Sequence, residues 1–135
     1  MDDSDDDSPS PDEVGRSRAT QKMNCIRGTL TSKENKDSSP HDFDFTWQGS
    51  IPHATVRVVR DENTRVVKRW TYITHVNPEV AATTGEVTLW EQMTHELAHH
   101  INRNPKGGGG GHTDDFYTVL DRVRSASRMR CQTRN

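Results

Sequence analysis

The sequence is poor in cysteine and in apolar residues, and both shortages limit what the chain can be. Its only cysteines, Cys25 and Cys131, lie near opposite ends of the 135 residues. They form no C-x-x-C pair and no disulfide framework, so the sequence favours a reducing compartment. Hydrophobic residues make up 29% of the chain and the mean hydropathy is −1.00, which predicts one domain with a small core.

Long apolar runs are also absent. No stretch is long enough to span a bilayer, and no basic-then-apolar segment of the secretory type stands at the N-terminus. We therefore expect no membrane contact. The expected location is cytoplasmic, or nuclear if the host is eukaryotic.

Charge is distributed unevenly along the chain. Seven of the 20 acidic residues lie within residues 1–13, where there is no Lys or Arg, which leaves 18 basic and 13 acidic residues for the remainder. Residues 1–20 are rich in Asp, Ser and Pro, and they predict an acidic disordered tail. Residues 127–135 predict a basic, frayed tail. The arginines that could contact phosphates, as in nucleic-acid binding, are Arg122, Arg124, Arg128, Arg130 and Arg134.

Periodicity predicts an α+β fold between these tails. Residues 21–42 read as an N-terminal arm and a linker, and residues 43–126 as the folded domain. Alternation of apolar and polar residues, or a high content of β-branched residues, predicts three strands: residues 43–47, Ala54–Arg60 and Arg65–Val76. Helical segments follow. We expect a small, mostly antiparallel sheet packed on two helices.

The clearest motif is His95-Glu96-Leu97-Ala98-His99, an H-E-x-x-H sequence inside a predicted helix over residues 88–102. Residues four apart share a helix face, so His95 and His99 can point at one ion. Glu96 lies at the border between this polar face and an apolar back, about 100° from His95. In zinc hydrolases, neutral imidazoles hold the metal and an adjacent carboxylate accepts a proton from the attacking water.

A catalytic zinc site usually has three protein ligands, and His112 is the best candidate for the third. It follows a run of five glycines that would let the chain double back, and it precedes Thr113, a good N-cap for a last helix. Asp114 is the alternative ligand, because Gly111–Tyr117 resembles the G-T-x-D-x-x-Y pattern of aspzincins. Both assignments stay open at this point.

His95–His99 followed by Gly111–Phe116 resembles the SprT-like zinc peptidases, which are related to the Spartan DNA–protein crosslink proteases. That family pairs HExxH with a downstream G-H-x-x-[DE]-F. The resemblance implies a zincin-like metallopeptidase domain over residues 43–126, with Zn²⁺ on His95, His99 and His112 and with Glu96 as general base. It also implies that the strand Thr71–Val76 lines the edge of the cleft and pairs with an extended protein or peptide substrate.

A second hypothesis is a nucleic-acid-binding or adaptor module whose metal site is structural or vestigial, with the basic tail in contact with DNA or DNA-bound protein. A structural site would be closed by a fourth protein ligand, and the sequence offers no obvious one. Tyr72, Tyr117 and His75 are alternative candidates for stabilising an oxyanion. His100 is expected to be packed or half-exposed.

Overall fold

A computed structural model describes residues 8–103 and 111–133 and confirms the α+β class. In chain order, its elements are α1 (Pro11–Gly28), α2 (Ser32–Asp37), β1 (His41–Asp44), β2 (His53–Arg60), β3 (Val67–His75), α3 (Pro78–Thr83), α4 (Glu86–Arg103) and α5 (Asp114–Cys131). None of the helices in these two ranges has an apolar stretch of membrane-spanning length.

The three strands form one sheet in the order β1-β3-β2, which is mixed rather than mostly antiparallel. β2 and β3 form an antiparallel hairpin, whereas β1 runs parallel to β3. The reason is the loop after β1, which crosses the end of β3 to reach the far side of the sheet. Trp47, predicted to lie in a strand, belongs to this loop and donates from Nε1 to the Ile51 carbonyl oxygen at 2.9 Å.

The sheet order corrects the expected position of the substrate-pairing strand. The implied strand Thr71–Val76 lies largely in β3, which is hydrogen-bonded to a neighbour on both sides. A central strand has no free backbone groups to offer a peptide. Among the described strands, only β1 and β2 have an open edge.

On each face of the sheet, a series of hydrogen-bonded side chains links the strands to their neighbours. On one face, His75 contacts Asp44 of β1 through Nδ1 at 2.6 Å and Thr55 of β2 through Nε2 at 2.6 Å. On the other face, the Thr74 hydroxyl lies 2.7 Å from His41 Nε2 and 3.0 Å from His100 Nε2. Because His100 belongs to α4, the second series ties the sheet directly to the helix that carries the H-E-x-x-H motif.

The N-terminal region differs from the prediction. Disorder was expected over residues 1–20, but residues 11–20 lie in α1, and residues 1–7 lie outside the described ranges. Ser10 and Glu13 form a capping box at the start of α1, which satisfies two orphan backbone donors. Lys22, which is fully buried, donates to Glu86 Oε1 at 2.7 Å, and this contact joins α1 to the start of α4.

Two further segments predicted to be irregular are also ordered. The linker expected before residue 42 contains α2, which begins with a second capping box between Thr31 and Glu34. The tail predicted to fray from residue 127 continues as α5 to Cys131. Ser127 is buried there and accepts a hydrogen bond from Trp90 Nε1 at 3.0 Å, so the last turns of α5 pack against α4.

Cys25 and Cys131 form a disulfide that links α1 to the end of α5, with 5.9 Å between their Cα atoms. The prediction of no disulfide framework was therefore wrong. Sequence distance hid the pair, since 106 positions separate the two cysteines and only the packing of α1 against α5 brings them together. The argument for a reducing compartment depended on unpaired cysteines, so it does not hold.

Gly15 of α1 lies in tight contact with the backbone of α3 and gives a first testable prediction. A Cβ atom at this position would lie 1.6 Å from the Pro78 carbonyl oxygen. We expect Gly15→Ala to lower the free energy of unfolding by about 1–3 kcal/mol, as overpacking does, despite the better helix propensity of Ala. The measurement is urea unfolding followed by circular dichroism.

Gly28 in the same helix is the matched control. A Cβ atom there would meet nothing within 4 Å. Gly28→Ala should therefore be neutral or stabilising, by up to about 1 kcal/mol. Equal stability of the two variants would contradict a tight contact between α1 and α3.

Candidate metal centre

Helix α4 places the two motif histidines side by side on one face, as its periodicity predicts. It spans Glu86–Arg103, close to the bounds expected from sequence. The predicted apolar back is buried, with exposed fractions of 4% or less for Trp90, Met93, Leu97 and Ile101. Burial of this stripe fixes the rotation of the helix, so His95 and His99 lie together on another side of it. His95 is partly exposed there, whereas His99 is only 8% exposed.

His112 reaches the same place from the start of α5. Thr113 is the N-cap of that helix, and its hydroxyl accepts a hydrogen bond from the Phe116 backbone N–H at 3.2 Å. The cap holds the backbone directly after His112. Residues 104–110, which include most of the glycine run, lie outside the described ranges, so the predicted return of the chain through that run is not described.

The three imidazoles converge on one point. The Nε2 atoms of His95, His99 and His112 lie 3.2 Å apart in each of the three pairs. Ligands of a tetrahedral zinc with bonds of 2.0–2.1 Å are separated by about 3.3 Å. Within the described ranges, these three residues form the one group of His, Cys, Asp or Glu side chains with the spacing of a metal site.

Hydrogen bonding within the triangle cannot satisfy all three nitrogens. In a neutral imidazole, each Nε2 is either an N–H donor or a lone-pair acceptor. Among three nitrogens that are each a donor or an acceptor, at least two must be of the same kind. At least one of the 3.2 Å contacts therefore joins two donors or two acceptors. A cation that accepts all three lone pairs removes this conflict, so the geometry fits a metal ion.

The protonation states also suit a metal. Burial lowers the pKa of His95, and the nearby His112 and Arg124 lower it further. Burial, followed by His95 and His112, lowers the pKa of His99 to about 4. Both rings are therefore neutral at pH 7, and a neutral imidazole is the form that binds zinc. Exposure increases from His99 through His95 to His112, so the centre opens to solvent on the His112 side.

Phe116 forms the floor of the centre, a role that sequence reasoning missed. From the sequence, it was used only as the last residue of a family pattern, and the structure buries it fully. Its ring stacks on His99 with 4.3 Å between centroids and lies 5.0 Å from His95 and 4.9 Å from His112. One side chain thus supports all three imidazoles. The signal was the phenylalanine that ends the G-H-x-x-[DE]-F pattern.

Glu96 lies beside the histidines at the edge of the core. Its side chain is only 4% exposed, and burial raises its pKa to about 8. It lines a cavity of about 220 Å³ together with His95, Ile51 and Arg124. The carboxyl group therefore shares one cavity with a motif histidine. A cation held by the histidines would lower this pKa and favour the carboxylate, the form that a general base requires.

The alternative third ligand is placed elsewhere. Asp114 is exposed in the first turn of α5, and it does not belong to the group of side chains with metal-site spacing. Its carbonyl oxygen accepts a hydrogen bond from the Thr118 hydroxyl, an ordinary contact within the helix. The structure thus brings His112, and not Asp114, to His95 and His99.

Of the three candidates for stabilising an oxyanion, one faces solvent near the histidines. The Tyr72 hydroxyl is buried, and its ring packs beside His100 on the inner face of the sheet. His75 is held between Asp44 and Thr55, so it is an ordinary strand histidine. The Tyr117 ring is 51% exposed and lies 6.2 Å from the ring of His112.

Several of the arginines considered for phosphate contacts are engaged within the protein. Arg122 forms an ion pair with Glu34. Arg124 and Arg128 stack over the Trp90 ring at 5.7 Å and 5.2 Å. Phosphate contacts through the first of these would compete with an existing ion pair, and Arg134 lies outside the described ranges.

Comparison with known proteins identifies no relative from which a function could be transferred. The chain matches no protein-family model and has no significant match among curated proteins or solved structures.

Proposed function

We propose that the protein is a zinc-dependent peptidase of the SprT-like type. The observation that carries the proposal is the triangle of Nε2 atoms at 3.2 Å from His95, His99 and His112, with Glu96 beside it on the same helix. Three protein ligands leave one position open for chemistry, whereas a structural zinc site is closed by a fourth. The described residues supply no fourth ligand.

In the proposed reaction, the histidines bind the metal and Glu96 transfers the proton. His95, His99 and His112 would hold the ion, which supplies Lewis acidity to the scissile carbonyl group and to the attacking water. Glu96 accepts a proton from that water as its oxygen bonds to the carbonyl carbon. It then delivers the proton to the amide nitrogen as the carbon–nitrogen bond breaks. Tyr117, whose ring lies 6.2 Å from that of His112, would donate to the developing oxyanion.

An extended substrate would pair with β2. This strand has an open edge in the described sheet, and the loop that precedes it brings Ile51 to the cavity shared by His95 and Glu96. Backbone hydrogen bonds along such an edge bind peptides with little dependence on sequence. The edge of β2 thus takes the role that the family resemblance gave to β3.

The second hypothesis, a nucleic-acid-binding or adaptor module, has weaker support. Arg122 is paired with Glu34, and Arg124 and Arg128 stack on Trp90. An adaptor with a vestigial site would also give Glu96 no task, although its burial is costly.

Zinc content of purified variants tests the proposal. We expect about one zinc per wild-type chain and loss of the metal in His95→Ala, His99→Ala and His112→Ala, since two imidazoles do not hold a catalytic zinc. Asp114→Asn is the matched control. Its zinc affinity should fall by less than the 10–100-fold typical of losing a partner that hydrogen-bonds to a ligand.

Elemental analysis and competition with a chromogenic chelator provide the measurement. Full zinc content in all three alanine variants would reject the site. Loss of zinc in Asp114→Asn, with retention in His112→Ala, would reverse the assignment of the third ligand.

A further inference from the structure

Among the residues that the structure describes, Arg124 is the one arginine that lines the cavity containing His95 and Glu96. The cavity holds about 220 Å³, the volume of roughly seven water molecules. That is enough for one substrate residue next to the reacting bond. A group placed here on α5 can therefore contact substrate without belonging to the metal site.

The guanidinium is held in a fixed orientation relative to α4. Its Nε donates to the Thr94 hydroxyl at 2.9 Å, and its Nη2 donates to the Glu91 carbonyl oxygen at 3.0 Å. Its planar face lies over the ring of Trp90, 5.7 Å from the centroid. These three partners all belong to α4, so the contacts fix the position of Arg124 relative to the helix that carries Glu96. Nη1 makes no hydrogen bond within the described ranges.

Comparison with Arg128, one turn further along α5, shows that stacking on Trp90 does not require the other contacts that Arg124 makes. Arg128 lies over the same Trp90 ring at 5.2 Å, yet it does not line the cavity. Both arginines thus share the aromatic contact. Arg124 alone adds two hydrogen bonds to α4 and lines the cavity.

We infer that Arg124 binds a carboxylate of the substrate next to the bond on which Glu96 acts. Nη1 and the remaining N–H of Nη2 form a pair of parallel donors on adjacent nitrogens, which matches the geometry of a carboxylate. Charged, bidentate pairs of this kind are the strong ones. The substrate class is peptides with a carboxylate at this position, from either the C-terminus or an acidic side chain. The inference depends on the proposed peptidase function for the identity of the ligand as a peptide.

Two acidic side chains share the cavity with Arg124 and must be weighed against it. Burial lowers the pKa of Arg124, and the nearby Glu91, together with Asp121 outside the cavity, offsets part of this effect. Both carboxylates are exposed and neither forms an ion pair with Arg124 in the described ranges, so water screens their charges. Glu96 is nearly buried and is reserved for proton transfer in the proposed mechanism. A fixed, partly buried guanidinium recognises its partner better than a mobile, hydrated carboxylate does, so the cavity favours an anionic group over a cationic one.

Calorimetric binding of short peptides to Glu96→Gln protein, with and without zinc, tests the inference. The probes are N-acetylated tetra-alanine as the free acid, its amide, and two amides in which one alanine is replaced by Asp or by Lys. A carboxylate-bearing peptide should bind about 10- to 100-fold more tightly than the plain amide, as one charged hydrogen-bonded pair predicts. Preference for the free acid identifies the C-terminal carboxylate as the source, and preference for the Asp peptide identifies the side chain.

The ratio of acid to amide affinity is then measured in arginine variants. Arg124→Gln should bring the ratio close to one, and Arg124→Lys should restore part of it. Arg128→Gln is the matched control and should leave it unchanged. Since both peptides are compared on the same variant, a loss of folded protein does not alter the ratio.

Three results would overturn the inference: equal binding of acid and amide, tighter binding of the Lys peptide, or an acid preference that survives Arg124→Gln. Binding of none of the peptides would overturn it as well. The peptidase proposal fails separately, through absence of zinc and of hydrolysis. Zinc-dependent cleavage without any carboxylate preference would reject the role of Arg124 and leave the proposed function standing.

Discussion

Glu96→Gln is expected to keep its zinc and to lower peptide hydrolysis by about 10²–10⁴-fold, the usual effect of removing a general base. The amide has nearly the same shape as the carboxylate but cannot accept the proton of the attacking water. His95, His99 and His112 are unchanged in the variant, so the metal site stays complete. Cleavage of unfolded casein and zinc content, measured on the same preparation, separate the two effects.

Glu91→Gln is the matched control for this experiment. Glu91 lies on the same helix and lines the same cavity, but its side chain is exposed rather than buried. It should keep hydrolysis within a few-fold of wild type, because surface charges contribute little at this range. If Glu96→Gln cleaved casein as fast as Glu91→Gln, Glu96 would not be the base.

Stability of the metal-free protein gives a second readout that does not depend on activity. Burial raises the pKa of Glu96 from 4.5 to about 8, so between these values the folded protein holds a proton that the unfolded chain has released. The contribution of Glu96 to stability is therefore fully present below pH 4.5 and is lost as the pH rises to about 8. The loss is at most about 1.4 kcal/mol per pH unit. In the presence of a chelator, Glu96→Gln should lack this slope in urea unfolding.

The local features of the centre could be predicted because they depend on short sequence distances. The spacing of His95 and His99, the apolar back of α4 and the Thr113 cap are all properties of one helix or one turn. Helical periodicity and capping chemistry determine them almost without reference to the rest of the chain. The support that Phe116 gives to all three imidazoles could not be derived in this way, since it depends on how α5 packs against α4.

At the N-terminus, where disorder was wrongly predicted, amino-acid composition was a poorer guide than the local capping motif. The acidic, serine- and proline-rich start indicated disorder, yet Ser10-Pro11-Asp12-Glu13 is a capping box with proline at the first helical turn. The same signature, at Thr31 and Glu34, begins α2. Contacts far along the chain then stabilise α1, such as the Lys22–Glu86 ion pair, and no local pattern reveals them.

The order of the strands in the sheet could not be predicted from the sequence for a similar reason. The alternation of apolar residues identifies β2 and β3 as strands but not their neighbours. β1 pairs with β3 on the side opposite β2, which closes the edge that the family resemblance assigned to substrate. His75, a candidate for stabilising an oxyanion, bonds instead across strands, and so does His41 at the start of β1.

Reduction of the Cys25–Cys131 disulfide is expected to cause the largest loss of stability. The bond closes a loop of more than one hundred residues, with a sequence separation of 106. For a loop of this length, the entropy of the unfolded chain predicts a contribution of about 4.7 kcal/mol. The total stability of a domain is about 5–15 kcal/mol, so the linkage accounts for a large share of it.

The loss should weaken the whole fold and not the metal centre alone. Cys131 is fully buried, and its carbonyl oxygen accepts a hydrogen bond from Lys22 at 2.8 Å. Lys22 also pairs with Glu86 at the start of α4, so the end of α5, α1 and the motif helix meet at one buried amine. Separation of α1 from α5 would expose this amine and its partners. Folded molecules that remain should still bind zinc, because no ligand lies in α1.

Urea unfolding of the oxidised protein, of the reduced protein and of the Cys25→Ser, Cys131→Ser double variant gives the measurement. We expect the reduced protein and the double variant to unfold at similar, much lower urea concentrations than the oxidised protein. Reductant should have no further effect on the double variant, which controls for reduction acting elsewhere. Thiol titration establishes that the bond was open. Unchanged stability in a protein shown to carry two free thiols would mean that α1 is held by the Lys22–Glu86 contact and its packing against α3, with no need of the covalent link.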